Sequence, residues 1–164
     1  MLYASYIDMG DYMKYKIYAT AKISGSEDFK EIRGSVTFIT ATSGVLVSAH
    51  VLGLPMQDEC GKSGVFGFHI HEGGSCTGNT DDEFKDTSGH FNPSGCLHPY
   101  HAGDMPPLFS CGGEAYLSFL TDRFDISDIL GRTVVIHSNP DDFTTQPSGN
   151  SGTKIACGII EKIK

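Results

Sequence analysis

Residues 15–23 read YKIYATAKI. Tyr15, Ile17, Ala19, Ala21 and Ile23 fall on one side of this stretch, and Lys16, Tyr18, Thr20 and Lys22 on the other. Apolar and polar residues alternating with period two mark a strand with one face on a core and one in water. The same pattern recurs downstream. Residues 35–40 and 44–51 form a pair of strands around a turn at Thr42-Ser43-Gly44. Residues 65–71 (VFGFHIH) make a fourth strand, and runs near 114–120, 132–137 and 155–160 complete a set of seven or eight. Short strands with Gly-rich connections predict an all-β fold, a Greek-key β-barrel or sandwich of about eight antiparallel strands. No long helix is expected; DRFDISDIL (122–130) has room for one turn, with Ser127 as a cap.

Two segments break the rhythm. Residues 72–113 are Gly-rich and patternless, and residues 138–153 (SNPDDFTTQPSGNSGT) are dense in turn formers. Loops of this length in a compact domain are functional or disordered. No repeat or linker divides the chain of 164 residues, so residues 1–164 read as one domain, with 1–13 as an N-terminal extension. Leu2, Tyr3, Tyr6 and Ile7 in that extension suit either an interface or a loose tail.

Composition excludes several classes. No apolar run approaches the ~20 residues of a membrane span. No Lys/Arg cluster marks a nucleic-acid surface. The formal charge of −8 disfavours anions at long range, so an anionic substrate needs a local positive site. Asp8 and Asp11 interrupt any secretory signal in the first residues. The chain is therefore cytoplasmic if Met1 is its true start, and otherwise a processed periplasmic or secreted protein.

Six of the seven histidines fall into a pattern that suits two neighbouring metal ions. On strand 65–71, alternation gives Phe66, Phe68 and Ile70 to the core and sends His69 and His71 to the outer face, roughly 6–7 Å apart. Gly67 leaves room beside them, and His137, closing the apolar run TVVIH, supplies a third nitrogen. His98, His101 and Asp104 lie in a loop where Pro93, Pro99 and Gly103 forbid a helix. Such N and O donors suit tetrahedral zinc, whereas a tetragonal set of imidazoles suits copper. His90 stands between the groups in sequence and has two ring nitrogens, one for each ion. An isolated histidine on a strand, such as His50, is read instead as an ordinary surface or core residue.

The segments GFHIHEGGSCT, GHFNP and GNSGTKIACGII resemble the copper–zinc superoxide dismutase family over roughly residues 14–160, and the HEGGSC spacing is closer to bacterial members. The resemblance implies an eight-stranded Greek-key barrel and superoxide as substrate, in a monomer or homodimer. It implies copper on His69, His71, His90 and His137, and zinc on His90, His98, His101 and Asp104. It pairs Cys76 with Cys157 in a disulfide and makes Asp141 the carboxylate linking ligands of both metals. The implied chemistry is a redox cycle in which copper takes an electron from one superoxide and gives it, with two protons, to a second. His90 leaves copper and carries a proton in the reduced half of that cycle. Zinc holds His90 and does no redox chemistry. A non-catalytic copper-binding member and a zinc-only structural module are the competing readings.

The chain departs from the family pattern at three places. Lys154 stands where the family has Arg; it keeps the charge beside copper and loses the planar fork, so a slower enzyme is expected, with Lys154→Arg raising the rate. Asp141 and Asp142 are the only ionisable residues of the short loop 138–153, so steering should be weak and the rate nearly independent of ionic strength. Two residues alone separate His98 from His101, which compresses the zinc loop. Cys60, Cys96 and Cys111 have no role in the resemblance; a second bridge between Cys96 and Cys111 and small buried thiols are both open.

Overall fold

The computed structural model describes residues 17–56 and 64–163. The N-terminal extension at 1–13, the first residues of the YKIYATAKI stretch and Cys60 lie outside the described residues. Among the described residues there are nine strands, β1 (Ile17–Gly25), β2 (Arg33–Ala41), β3 (Gly44–Leu52), β4 (Val65–Phe66), β5 (Phe68–His71), β6 (Leu108–Cys111), β7 (Glu114–Thr121), β8 (Thr133–His137) and β9 (Lys154–Lys162). Neighbours run antiparallel in the order β4-β6-β7-β3-β2-β1-β9-β8-β5. The two ends of that order, β4 and β5, are adjacent in the chain and separated by Gly67 alone. The sheet therefore curls into a nearly closed Greek-key barrel.

Alternation places the core as the sequence implies. Ala19, Ala21 and Ile23 from β1, Val36 and Phe38 from β2, and Val45, Val47, Ala49 and Val51 from β3 are all buried. Their register is continuous from Arg33↔Leu52 to Ala41↔Gly44, across the two-residue turn Thr42-Ser43. Gly44 is required there: its φ is +140°, and a Cβ would collide with the Thr121 carbonyl oxygen. Each fully buried Phe or Ile of this core contributes about 1.5–3 kcal/mol.

Three expectations change. The run 65–71 is two strands, because Gly67 leaves the ladder: its N–H donates to the Asn139 carbonyl at 2.7 Å and its carbonyl accepts from the His137 N–H at 2.8 Å. Counted as one strand, 65–71 restores the expected eight. The segment 72–113 is not loop throughout, since Leu108–Cys111 forms β6 and pairs with both β4 and β7. Four residues between a Pro pair and a Gly pair are too short to show a period. The short helix is present as α1 (Ile126–Ile129), but its cap is Asp125, not Ser127. The Asp128 carboxylate accepts the Asp125 N–H at 2.9 Å, and Ser127 sits inside the turn.

Outside the barrel, the first loop is tied down twice. The Cys76–Cys157 disulfide joins it to β9, as the resemblance implies. Phe84 then packs with Val135 and Cys157 in a small second apolar cluster. Cys96 and Cys111 are free and exposed, so the second bridge is not formed, nor are they buried thiols. Among the described residues no helix is long and apolar enough to cross a membrane.

Candidate metal centre

Strand β5 organises the site. Phe68 and Ile70 point into the core, and His69 and His71 point out of the barrel. That outer face is not solvent, however: His69 is 0% and His71 2% exposed. The first loop is laid back along β5 as a further partial strand. The Ile70 N–H donates to Gly103, the Phe91 N–H to Ile70, and the Glu72 N–H to Gly89. These bonds set His69 opposite Asp104 and His71 opposite His90. A Cβ on Gly103 would collide with the Ile70 carbonyl oxygen, so only glycine permits this approach.

The second loop closes the other side, where a Cβ on Gly67 would meet the Ser151 side chain at 2.9 Å. The space that the sequence leaves at Gly67 is thus filled by this loop. Gln146 clamps His98 in both directions, accepting its N–H at 3.0 Å and donating to its carbonyl at 2.7 Å. At Gly149 φ is +67°, and a Cβ would overlap the Asp141 carboxylate and the His98 ring. Arg123 donates from Nη1 to the carbonyls of Pro99, His101 and Asp104 at 2.9, 3.2 and 3.3 Å, stapling the loop that carries three candidate ligands.

Two groups of donors result. One donor atom from each of His69, His71, His90 and His137 lies within 4.8 Å of the others, and the same holds for His90, His98, His101 and Asp104. His90 belongs to both. The compressed spacing between His98 and His101 does not prevent convergence. The outer nitrogens of His69, His71 and His98 are engaged in ways that fix those rings. His71 Nδ1 donates to the Ser88 carbonyl at 2.9 Å, leaving Nε2 for the centre. Asp141 lies between the groups, with Oδ2 at 2.7 Å from His69 Nε2 and Oδ1 at 2.9 Å from His98 Nε2. His50, by contrast, is exposed and pairs with Glu114 at 2.6 Å, away from both groups.

The inner nitrogens test whether metal ions fit. His69 Nδ1, His90 Nε2, His98 Nδ1 and His101 Nδ1 are buried and make no hydrogen bond. A buried polar atom left so costs about 1–3 kcal/mol. Four in one place, all on imidazoles, call for a common partner. His98 Nδ1 is 3.0 Å and His101 Nδ1 3.3 Å from Asp104 Oδ2, yet neither is aligned as a hydrogen bond. His71 Nε2 and His137 Nε2 stand 3.1 Å apart. Buried ring nitrogens gathered in two groups, four of them without any hydrogen bond, are the arrangement of metal ligands, and the residues fit two cations.

Electrostatics agree with this. Burial strips water from the charged form of His69 and lowers its pKa to about 4, against the opposing bond to Asp141. Burial, then the neighbouring His69 and His90, takes His137 to about 3. His71 is lowered well below the ordinary value by burial and by His137. Burial would raise both carboxylates. The His90 bond and nearby histidines outweigh it at Asp104, and bonds from His69, Phe143 N–H and His98 outweigh it at Asp141, so both stay below the ordinary range. Near neutral pH these three rings are unprotonated and both carboxylates ionised, which are the metal-binding forms.

A cavity of about 360 Å³ opens beside the first group, lined by His71, His90, His137, Gly152 and Lys154 among others. Lys154 opens β9 directly opposite His137. Its ammonium does not stand free: it donates to Asp82 Oδ2 at 2.7 Å and to the Phe84 carbonyl at 3.0 Å.

Comparison with known proteins agrees with this geometry. Residues 32–160 match the family model described as copper/zinc superoxide dismutase. A superoxide dismutase [Cu-Zn] of Aquifex aeolicus is 37% identical over 145 residues, covering 79% of this chain and 80% of that protein. That of Deinococcus radiodurans is 34% identical over 153 residues, covering 81% and 79%. Among solved structures, a double mutant of a SOD-like protein from Bacillus subtilis superposes with a TM-score of 0.70 at 27% identity, covering 88% of this chain and 98% of that one. The nearly closed Greek-key barrel, the paired donor groups and these matches together establish that the chain belongs to the copper/zinc superoxide dismutase family, as a member of bacterial type.

Proposed function

We propose that this chain dismutates superoxide to molecular oxygen and hydrogen peroxide, with copper on His69, His71, His90 and His137 and zinc on His90, His98, His101 and Asp104. The observation that carries this reading is His90. Its Nδ1 is 2.7 Å from Asp104, its Nε2 is buried without a hydrogen bond, and the ring belongs to both donor groups. When bound, copper supplies the one-electron acceptor and donor, and zinc supplies fixed charge.

The protein's own groups do the rest. Asp141, through Nε2 of His69 and of His98, holds both rings in the tautomer that leaves Nδ1 free. The Ser88 carbonyl does the same for His71 through the opposite nitrogen. His90 lines the cavity and can hold a proton at Nε2 where the reacting anion arrives. Lys154 supplies the nearby positive charge that an acidic chain needs to attract an anion. A single chain contributes every donor of both groups, so we take it to act as a monomer or as a homodimer of independent sites.

Metal analysis with superoxide turnover tests the reading. One copper and one zinc per chain, with turnover that disappears in His90→Ala, is the expected result. Zinc alone, without turnover after copper loading, would refute it and favour a structural module. Convergence of all six rings weighs against that module.

A further inference from the structure

We propose that Asp82 is a specificity-determining residue: it holds the Lys154 ammonium toward the first loop and thereby lowers the affinity of the cavity for small anions. The inference rests on the reading above that an anion binds beside His90. Lys154 is the only Lys or Arg among the described residues lining that cavity. The same side chain also borders a second hollow of about 450 Å³, lined by the acids Asp28, Asp81, Asp82 and Glu83. It thus stands on a boundary, and its ammonium is drawn to the acidic side. Two of its three N–H groups are taken, by Asp82 and by the Phe84 carbonyl. An anion in the cavity meets a lysine already in contact with a full negative charge. It feels a dipole, which decays faster with distance than a charge.

The carboxylate is held as firmly as the lysine. Asp82 Oδ1 accepts the Phe84 N–H at 3.0 Å, and the Asp82 N–H donates to Asn79 at 3.0 Å. Phe84 is itself buried against Val135 and Cys157. The Lys154 side chain is only 15% exposed, against 39% for Asp82, so water screens the pair incompletely. Asp82→Asn is nearly isosteric. Its amide oxygen retains the Phe84 bond, and its NH2 group faces the ammonium without attraction, so the loop stays and the lysine is released.

The test is azide binding to protein loaded with copper and zinc, followed by the copper absorption band, in the wild type, Asp82→Asn, Lys154→Gln and the double variant. Asp82→Asn should tighten azide by about three- to tenfold. That gain should vanish in the Lys154→Gln background. Superoxide turnover of Asp82→Asn should also fall more steeply with ionic strength than that of the wild type, because a full charge now attracts the substrate. Azide affinity that is unchanged or weaker in Asp82→Asn overturns the proposal, as does equal tightening without the lysine. A wild-type chain that takes up no copper is a different result and defeats the reading of the site as well.

Discussion

Replacing Asp141 is the sharpest test of how the two donor groups are coupled. Its carboxylate accepts three hydrogen bonds: from His69 Nε2 at 2.7 Å, from His98 Nε2 at 2.9 Å and from the Phe143 N–H at 2.7 Å. The two ring bonds are charge-assisted and buried, worth about 1.5–3 kcal/mol each. Asp141→Ala therefore removes about 3–6 kcal/mol of ring orientation. The loss should not be shared equally. His69 is on β5, paired with Val135 of β8, and its backbone stays in place without Asp141. His98 sits in irregular backbone and depends on Asp141 and Gln146 for its position. Zinc affinity should then fall by about 10- to 100-fold, and copper affinity by less. Competition against a chromophoric chelator measures each metal separately, with circular dichroism to confirm the barrel. Asp141→Asn should fall between the wild type and Asp141→Ala, since one amide oxygen cannot serve both rings. Unchanged zinc affinity in Asp141→Ala, or copper lost while zinc stays, would refute the reasoning.

Three further outcomes are expected. The Cys76–Cys157 bridge spans 81 residues, so Cys76→Ser should lower stability by about 4.5 kcal/mol in the loop-entropy account, read from the urea midpoint. Metal-free protein should lose stability as pH falls from about 6.5 toward 4. In that window the unfolded histidines take up protons that His69 and His137, at about 4 and 3, still refuse. At His69 alone this is worth about 3 kcal/mol. Urea denaturation of the apo form at pH 7, 5.5 and 4.5 checks it, and flat stability across the series contradicts it. Arg123→Ala should weaken zinc by about tenfold while leaving copper nearly unaffected, because the three carbonyls it binds all belong to the segment from Pro99 to Asp104. Arg123→Lys, which keeps the charge without the guanidinium, should recover only part of the loss in the same competition assay.

The barrel was legible because alternation is a local property. Every strand of five residues or more in the structure shows in the sequence within a few positions, from Ile17–Gly25 to Lys154–Lys162. Leu108–Cys111 did not, since its identity as a strand comes from pairing with β4 and β7 and not from its own four residues. The outward direction of His69 and His71 follows from parity. Their burial does not, because it depends on loops that fold back over β5, such as those of Ser88, 17 positions from His71, and Asp141, 72 positions from His69. The donor residues themselves were legible as types and spacings, and the Gly67, Gly103 and Gly149 contacts explain why glycines are interleaved with them. The residues that hold those donors were mostly silent. Gln146 reaches His98 across 48 positions, and Arg123 reaches Pro99 across 24. A Gln or Arg used for its reach has no periodic signature.

This division has a physical cause that bears on how the site works. His69, His71 and His137 come from strands whose backbone is fixed by the barrel ladder, so their group is rigid whether or not a metal is present. His98 and His101 come from loop backbone held by side chains, Gln146, Arg123 and Asp141, whereas Asp104 is also set by backbone pairing opposite His69. Their group is a set of contacts that a cation would complete. His90 is joined to both, through its strand-like pairing with His71 and through its 2.7 Å contact with Asp104. A ring that must stay oriented while its Nε2 partner changes needs one firm anchor on the opposite nitrogen. Asp104 supplies it at 2.7 Å, and a cation shared by Asp104, His98 and His101 would tighten it. Loss of the loop metal should therefore be felt at the rigid group as a freer His90, although none of its other three rings moves.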